Sequence, residues 1–336
     1  MRILVTGVAG FLGSYIAEAF LKLDYQVVGI DNLIGGELSN IPEGVEFYEL
    51  DLNNLELIND IFTGVDIVVH TACTPHEGLS VFSPAFVTQN TFQVTANVLS
   101  ASARANVKKF VYMSSMARYG SQDTPFTEDM IPMPQDPYGI AKYASEMLVK
   151  NVCNTHHIDY VILVPHNIIG PRQKYDDPFR NVVSIMINRA LQGKQPIIYG
   201  DGNQMRCFSF IDDLINSIVQ ACLDGRGNSQ VINIGPDDEF ITINDLAKRI
   251  CDQVGLPYNP IYLPGRPQEV KLANCSAARA RVVLGYRKTI TLDQGLSEMI
   301  AWIKAKGTKK FKYHLPVELV KYNTPSTWTD DLFNKL

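Results

Sequence analysis

The sequence lacks the features of several large protein classes. No apolar run approaches the roughly 18–20 residues that a membrane-spanning helix needs. Basic residues are in slight deficit, with 30 against 35 acidic residues and a net charge of −5, which argues against a nucleic-acid partner bound through phosphate contacts. The apolar fraction of 46% is ordinary for a globular protein, so wholesale disorder is excluded as well.

Cysteine is scarce and scattered: the six cysteines form no C-x-x-C pair and no short metal-ligand spacing. His156-His157 has no third ligand nearby in the sequence, so no metal site is predicted. The apolar segment 3–6 has a single basic residue before it, unlike a signal peptide. We therefore expect reduced thiols in a cytoplasmic protein with no membrane partner.

Short β-branched runs alternate with helical patterns in the first half of the chain, which is typical of a parallel sheet covered by helices on both faces. The predicted strands are 3–6, 27–30, 45–48, 67–70, 110–113, 160–164 and, after a predicted helix at 211–223, 230–234. The late return of the seventh strand suggests that the chain leaves the sheet, builds a second lobe and comes back. The pattern predicts an α/β fold with a doubly wound parallel sheet.

A glycine-rich segment, Gly7-Val8-Ala9-Gly10-Phe11-Leu12-Gly13, follows the first predicted strand and opens the first predicted helix. Glycines allow a tight turn and close main-chain approach to a pyrophosphate, which the free N–H groups of the helix then bind. Asp31 ends the second strand, where a carboxylate accepts hydrogen bonds from an adenosine ribose and disfavours a 2′-phosphate. The predicted NAD ligands are Gly7, Gly10, Phe11, Leu12, Gly13, Asp31 and Asn32, with Asp51 and Leu52 near the adenine.

A second group of candidate residues surrounds Tyr138-Gly-Ile-Ala-Lys142. The i, i+4 spacing places the phenol and the ammonium on one helix face. A cation beside tyrosine stabilises the phenolate and makes it a usable proton carrier. Ser114-Ser115 ends the fifth predicted strand, where a hydroxyl is well placed to bind the same reacting oxygen.

At these motifs the sequence resembles the extended short-chain dehydrogenase/reductases, specifically the branch of nucleotide-sugar epimerases and dehydratases. The resemblance covers about residues 1–304 and rests on GVAGFLG (7–13), SSMARYG (114–120), YGIAK (138–142), HNIIGPRQ (166–173) and GDGNQMRCFSFIDD (200–213). It implies a Rossmann-type doubly wound sheet with a smaller mixed α/β substrate lobe, bound NAD, and a homodimer.

The resemblance also implies roles for single residues. Tyr138 would be the catalytic base, Lys142 its activator and a ribose ligand, and Ser115 the hydroxyl partner. For the substrate, it implies diphosphate contacts from Asn167, Arg206 and Arg266, a nucleobase contact from Tyr199, a ribose contact from Glu269, and further contacts from Asn181 and Val182.

Proline- and glycine-rich turns become frequent after about residue 165, which marks a change of organisation. We expect residues 1–165 to form the NAD-binding domain, with 205–235 returning to it. Residues 166–204 and 236–304 are expected to form the substrate lobe. The sequence assigns no role to the C-terminal extension, residues 305–336.

Departures from the family pattern narrow the reaction. Dehydratases and decarboxylases of this branch carry an acidic residue one or two positions after the catalytic hydroxyl, where this chain has Met116 and Ala117. GDP-mannose 3,5-epimerases need a cysteine at the place of Ala117 and a lysine near Asn181, and both are missing. The chemistry that needs only Ser115, Tyr138, Lys142 and NAD is reversible oxidation at a sugar C4.

Three further positions leave alternatives open. His166 replaces a common phenylalanine, and His76 lies where relatives often place a lysine; each is a candidate ligand or an ordinary packed side chain. Ala273 matches a position where a tyrosine restricts some epimerases to unmodified hexoses, so a small residue there suggests room for an N-acetyl group.

The sequence therefore predicts an NAD-dependent 4-epimerase of nucleoside-diphosphate sugars that acts through a 4-keto intermediate. A UDP-hexose or UDP-N-acetylhexosamine is the favoured substrate, although the sequence does not fix the nucleotide base. A UDP-glucuronate 4-epimerase or a keto-sugar-nucleotide reductase of the same branch is the alternative, and a dehydratase ranks lower. A non-catalytic NAD-binding scaffold is the alternative from another class, although it would have no use for a base beside the nicotinamide.

Overall fold

The computed structural model describes residues 1–336 and is built around one seven-stranded sheet. The strands are β1 (Arg2–Thr6), β2 (Gln26–Asp31), β3 (Glu46–Glu49), β4 (Ile67–His70), β5 (Lys109–Met113), β6 (Asp159–Pro165), β7 (Ile168–Ile169), β8 (Ile197–Tyr199), β9 (Met205–Arg206), β10 (Ser209–Phe210), β11 (Gln230–Ile234), β12 (Ile241–Thr242), β13 (Ile261–Leu263) and β14 (Leu272–Ala273). The helices are α1 (Phe11–Leu21), α2 (Leu55–Ile58), α3 (Glu77–Ser80), α4 (Pro84–Thr88), α5 (Val94–Arg104), α6 (Pro137–Thr155), α7 (Val182–Leu191), α8 (Ile211–Leu223), α9 (Ile243–Val254), α10 (Ala278–Leu284), α11 (Leu292–Lys306), α12 (Ser326–Thr329) and α13 (Leu332–Lys335).

The central sheet has the order β11-β6-β5-β4-β1-β2-β3, and all its strands are parallel. The chain winds outward from β1 through β2 and β3, then crosses to β4 and winds the other way. A crevice opens at the carboxyl ends of β1 and β4, where the winding direction changes. All seven predicted strands lie in this sheet, which confirms the doubly wound α/β fold; β3 begins one residue later than predicted, at Glu46.

Helices cover both faces of the sheet, which explains why its inner strands are mostly apolar rather than alternating. On one face, Phe20 of α1 and Leu214 of α8 pack on the sheet in a buried cluster. On the other face, Leu99 of α5 and Val149 of α6 lie in a second cluster. Every residue of β4 is buried, because this strand lies at the centre of the sandwich.

Three small sheets pair β10 with β7, β12 and β14 with β9, and β13 with β8. Helices α7, α9 and α11 share a separate apolar cluster beside them. Thr242 caps α9 by accepting a hydrogen bond from the Asp245 N–H, and Gly255 ends that helix in the left-handed conformation. Strand β9 pairs within the small sheets, and the chain re-enters the central sheet with β11 after α8. The boundaries of the two lobes stay a prediction.

The C-terminal extension packs against the body of the protein. Phe311, Leu315, Trp328 and Phe333 lie in one buried apolar cluster with Phe179 and its neighbours. No helix of the structure combines the length and the apolarity that crossing a membrane requires. All six cysteines are free thiols.

Candidate active site

A cavity of about 450 Å³ lies at the carboxyl ends of the central strands. The residues that line it include every predicted cofactor, catalytic and substrate residue: Gly7, Gly10, Phe11, Leu12, Gly13, Asp31, Asn32, Asp51, Leu52, Ser115, Tyr138, Lys142, Asn167, Asn181, Val182, Tyr199, Arg206, Arg266 and Glu269. The fold thus brings together residues that are as far apart in the sequence as Gly7 and Glu269.

The glycine turn after β1 forms one end of the cavity. Gly7 has a positive φ of 72°, which a side chain rarely adopts. A Cβ atom on Gly13 would lie 2.2 Å from the Gly7 carbonyl oxygen, so only glycine allows the helix to start this close to the turn. Gly10 is the N-cap of α1, and no side chain caps it. The first N–H groups of α1 are therefore available to an anion.

The Asp31 carboxylate is held beside this turn by main-chain donors. Its Oδ2 accepts a hydrogen bond from the Ala9 N–H at 3.0 Å, and its Oδ1 accepts one from the Leu33 N–H at 2.8 Å. Burial raises the pKa of Asp31, and these hydrogen bonds oppose the shift. Each carboxylate oxygen retains a lone pair, so the group can still accept hydrogen bonds from a ribose.

The cofactor end fits NAD on these observations. The glycine cradle leaves no space for a Cβ atom where a pyrophosphate would approach, and the uncapped start of α1 supplies donors for it. The fixed carboxylate of Asp31 stands where a 2′-phosphate would be repelled. Asp51 and Leu52 also line the cavity, and their contacts with adenine stay a prediction.

The predicted catalytic residues meet at the ends of β5 and α6. Lys142 Nζ donates a 2.7 Å hydrogen bond to the Met113 carbonyl and lies 5.9 Å from the centre of the Tyr138 ring. Ser115 follows the same strand, and its Oγ accepts from the Ala117 N–H at 3.2 Å. Burial raises the pKa of the Tyr138 phenol, whereas the Lys142 charge and a hydrogen bond with Ser115 lower it. Lys142 and Ser115 thus both favour the phenolate.

A buried network behind these residues fixes the loop after β5. Glu146 of α6 accepts a hydrogen bond from the Ser114 hydroxyl and pairs with Arg118 Nε at 3.0 Å. Arg118 donates to the Tyr119 hydroxyl at 3.1 Å, which in turn donates to Asn233 Oδ1 at 2.8 Å. The side chains of Arg118 and Glu146 are only 3% and 0% exposed, so the pair is shielded from water.

The opposite end of the cavity carries two arginines. Arg266 pairs with Glu269 at 3.0 Å, and its guanidinium lies 4.6 Å from the centre of the Tyr199 ring. Arg206 donates to the main-chain oxygens of residues 205, 270 and 271. Because a guanidinium has five N–H donors, each arginine retains donors for an anionic ligand. Glu269 therefore acts in this structure as the partner of Arg266, a pairing that the sequence did not reveal.

The remaining predicted substrate residues lie between these ends. Asn167 donates from its amide to the Cys207 carbonyl at 2.9 Å. Asn181 caps α7 by accepting a hydrogen bond from the Val183 N–H at 3.0 Å, and Val182 is the first residue of that helix. The N-terminus of α7 therefore faces the cavity, where its dipole favours a negative ligand.

Several residues at the cavity have no sequence pattern that predicts a functional role. Leu315 and Phe333 of the C-terminal extension line the cavity, and the Thr327 hydroxyl shares a hydrogen bond with the Tyr199 hydroxyl. Glu77, the first residue of α3, lines it as well. No motif marks the extension; for Glu77 the only available signal was an acidic residue in the loop after β4.

The residues that the sequence left open have different surroundings. His76 lines the cavity, but its Nε2 bonds the buried Asp177 carboxylate at 2.9 Å, and burial lowers the pKa of His76. His166 does not line the cavity; its Nε2 donates to the Pro236 carbonyl at 2.7 Å. Ala273 is packed in a buried apolar cluster away from the lining, so it gives no support to extra room for an N-acetyl group.

Comparison with known proteins identifies the family. Residues 3–235 match the model of the NAD dependent epimerase/dehydratase family. The chain belongs to this family. It is also similar to the UDP-glucose 4-epimerase of Mycolicibacterium smegmatis, with 30% identity over 91% of this chain and 99% of that protein.

Solved structures agree with this membership. The Thermotoga maritima UDP-glucose 4-epimerase, solved with UDP-glucose, is 31% identical with a TM-score of 0.86 and covers 91% of this chain and 99% of its own. A mutant UDP-glucuronic acid 4-epimerase from Bacillus cereus, solved with NAD and a fluorinated UDP-glucuronic acid, is 32% identical with a TM-score of 0.85 over 91% and 100%. The relatives are thus matched over nearly their whole length, and the part of this chain left unmatched has about the length of the C-terminal extension.

Proposed function

We propose that this protein is an NAD-dependent 4-epimerase of UDP-sugars that acts on a UDP-hexose or UDP-N-acetylhexosamine. The observation that carries the proposal is the grouping of Ser115, Tyr138 and Lys142 in one cavity with the glycine turn and with Arg206 and Arg266. A dinucleotide site, a proton carrier and an anion site in one cavity match a substrate whose sugar lies between its diphosphate and the cofactor.

Each catalytic side chain has a distinct task in this reaction. The Tyr138 phenolate takes the proton from the sugar 4-hydroxyl and later returns it. Lys142 keeps the phenolate stable from its fixed position on the Met113 carbonyl, and Ser115 donates a hydrogen bond to the reacting oxygen. NAD, when bound, supplies the reversible hydride acceptor for C4.

Inversion at C4 also requires the sugar to present both faces. In our proposal Arg206, Arg266 and Asn167 hold the diphosphate, so binding energy comes from a part of the substrate remote from C4. The 4-keto sugar then rotates about its bonds to the diphosphate without leaving the cavity. Tyr199 and Glu269 complete the site at the nucleoside.

The residues after Ser115 argue against elimination chemistry. Met116 lines the cavity, but its thioether cannot carry a proton, and Ala117 lies buried outside the lining. Removal of water across C5 and C6 needs an acid or base at one of these places. A dehydratase therefore remains the lower-ranked alternative.

We also propose a cytoplasmic homodimer. The free state of all six cysteines suits a reducing compartment. The dimer rests on the family resemblance, and sedimentation analysis of the purified protein tests it.

The test is product analysis with purified protein, no added cofactor and a panel of UDP-glucose, UDP-galactose, their N-acetylamino forms and UDP-glucuronate. Interconversion of one C4 pair is expected, and Tyr138→Phe should abolish it while leaving the folded state and NAD binding intact. Turnover only with stoichiometric NAD(P)H would instead indicate a reductase. NAD binding with no turnover of any sugar nucleotide would favour a scaffold.

A further inference from the structure

Glu77 is a cavity residue that the proposed mechanism does not use. It is the first residue of α3 and lines the same cavity as Tyr138 and Arg266. Its carboxylate forms no hydrogen bond or salt bridge with another side chain, whereas Glu269 is paired with Arg266. Of these two glutamates, Glu77 is therefore the one without a side-chain partner.

The surroundings of its neighbours in α3 indicate that Glu77 lies near both the helix that carries Tyr138 and Arg266. One turn further along α3, the Ser80 hydroxyl donates to Asp136 Oδ1 at 3.3 Å, and Asp136 is the N-cap of the helix that carries Tyr138. On the other side, a Cβ atom on Gly78 would lie 3.1 Å from Arg266 Nη1. In the proposed reaction, the sugar occupies this interval of the cavity, between Tyr138, which acts at C4, and the arginines that bind the diphosphate.

The charges around Glu77 make this interval unfavourable for a second anion. Burial raises the pKa of Glu77 to about 7, with the charge of Asp136 adding to the shift and those of Arg206 and Arg266 opposing it. The charge of Glu269 also raises the pKa of Glu77, and Glu269 itself is paired with Arg266. A bound diphosphate would neutralise the arginines and leave Glu77 without compensation.

We propose that Glu77 is a specificity-determining residue that excludes sugars with a carboxylate at C5, which restricts the enzyme to neutral UDP-sugars. This inference rests on the proposed 4-epimerase function. A uronate and an ionised Glu77 in one enclosed site repel each other, because the low local dielectric strengthens the interaction. A neutral sugar instead offers hydroxyl groups, with which a carboxyl group forms hydrogen bonds in either protonation state.

The experiment compares kcat/KM for UDP-glucuronate with kcat/KM for the neutral UDP-sugar that the wild type turns over fastest, UDP-glucose or UDP-N-acetylglucosamine. Glu77→Gln removes the charge and keeps the shape. We expect this variant to raise the relative value for UDP-glucuronate by about tenfold or more. In the wild type, discrimination against UDP-glucuronate should grow between pH 6 and pH 8, because a carboxyl group with a raised pKa ionises over that range. The variant should show no such pH dependence.

The matched control is Glu43→Gln, which makes the same charge change at an exposed loop position. It should leave the substrate ratio at the wild-type value. Glu77→Ala, checked for folding by thermal melting, provides a second variant with the same expected gain.

Three outcomes would overturn the inference. The first is wild-type turnover of UDP-glucuronate equal to that of the neutral sugar, and the second is an unchanged ratio of the two kcat/KM values in both Glu77 variants. The third is loss of C4 epimerisation on every sugar in Glu77→Gln. The last result would make Glu77 a proton-transferring group. Failure of the proposed function itself gives a different result, because the wild type would then epimerise no neutral UDP-sugar.

Discussion

Asp31 at the cofactor end of the cavity and Tyr199 at the substrate end are held in different ways. At the cofactor end, main-chain N–H groups of Ala9 and Leu33 fix the Asp31 carboxylate. At the substrate end, the Tyr199 hydroxyl is held by Thr327, a side chain from the C-terminal extension. Main-chain anchors come with the sheet itself, whereas side-chain anchors depend on a partner from a distant segment. Loss of an anchor that belongs to the sheet should therefore lower the stability of the fold, whereas loss of the anchor of Tyr199 should lower the affinity for the substrate.

Lys142→Met should produce the largest fall in activity. It tests the catalytic residues, which lie in the same cavity as both ends. We expect kcat to fall by about 10²–10³-fold, because the phenolate loses its neighbouring cation. Burial raises the pKa of Tyr138 and the Lys142 charge lowers it, so removal of that charge raises the pKa further. The acidic limb of the pH profile of kcat should consequently move to higher pH.

Steady-state kinetics over a pH series provide the measurement for Lys142→Met. Lys248→Met is the control, since Lys248 pairs with Asp252 on an exposed face of α9. An unshifted acidic limb in Lys142→Met would contradict the assignment of the lysine as the activator of the phenol.

Glu146→Ala tests whether the buried network behind the catalytic residues contributes to the stability of the fold. The substitution leaves Arg118 as an unpaired buried charge and removes the acceptor of the Ser114 hydroxyl. We expect the free energy of unfolding to fall by about 3–5 kcal/mol, measured by urea denaturation. The substrate KM of the protein that remains folded should change little. A large rise in KM at unchanged stability would contradict the assignment of this network to the fold rather than to substrate binding.

Thr327→Val should have the smallest effect and tests the opposite end. The variant removes the hydroxyl that holds Tyr199, so we expect a roughly three- to tenfold rise in KM for the UDP-sugar, with kcat unchanged. Thr329→Val, an exposed position on the same short helix, is the matched control. If both variants behave like wild type, the extension does not contribute to the nucleoside site.

The same difference explains how far the sequence was informative. The glycine turn, Asp31 and the Tyr138–Lys142 spacing are short-range patterns tied to strand and helix ends, and the structure places them around one cavity. Their binding and catalytic roles stay predictions until the variants are measured.

Residues of the substrate end were harder to predict, because their surroundings come from distant segments. Thr327 belongs to a segment without a motif, so its contact with Tyr199 depends on tertiary packing. Ala273 shows the converse error: an aligned position suggested room in the cavity, but the residue is buried outside the lining. His166, for which the sequence left both alternatives open, is likewise buried outside the lining. Glu77 was overlooked because a single acidic residue carries no spacing pattern.

The most direct test of the central claim is to follow a deuterium atom placed at C4 of the UDP-sugar during epimerisation by the purified protein without added cofactor. Transient oxidation at C4 removes that hydrogen as hydride and returns it to the same carbon. We expect the product epimer to retain the deuterium at C4 and Tyr138→Phe to yield no epimer. Replacement of the label by solvent hydrogen, or inversion at a carbon other than C4, would contradict it.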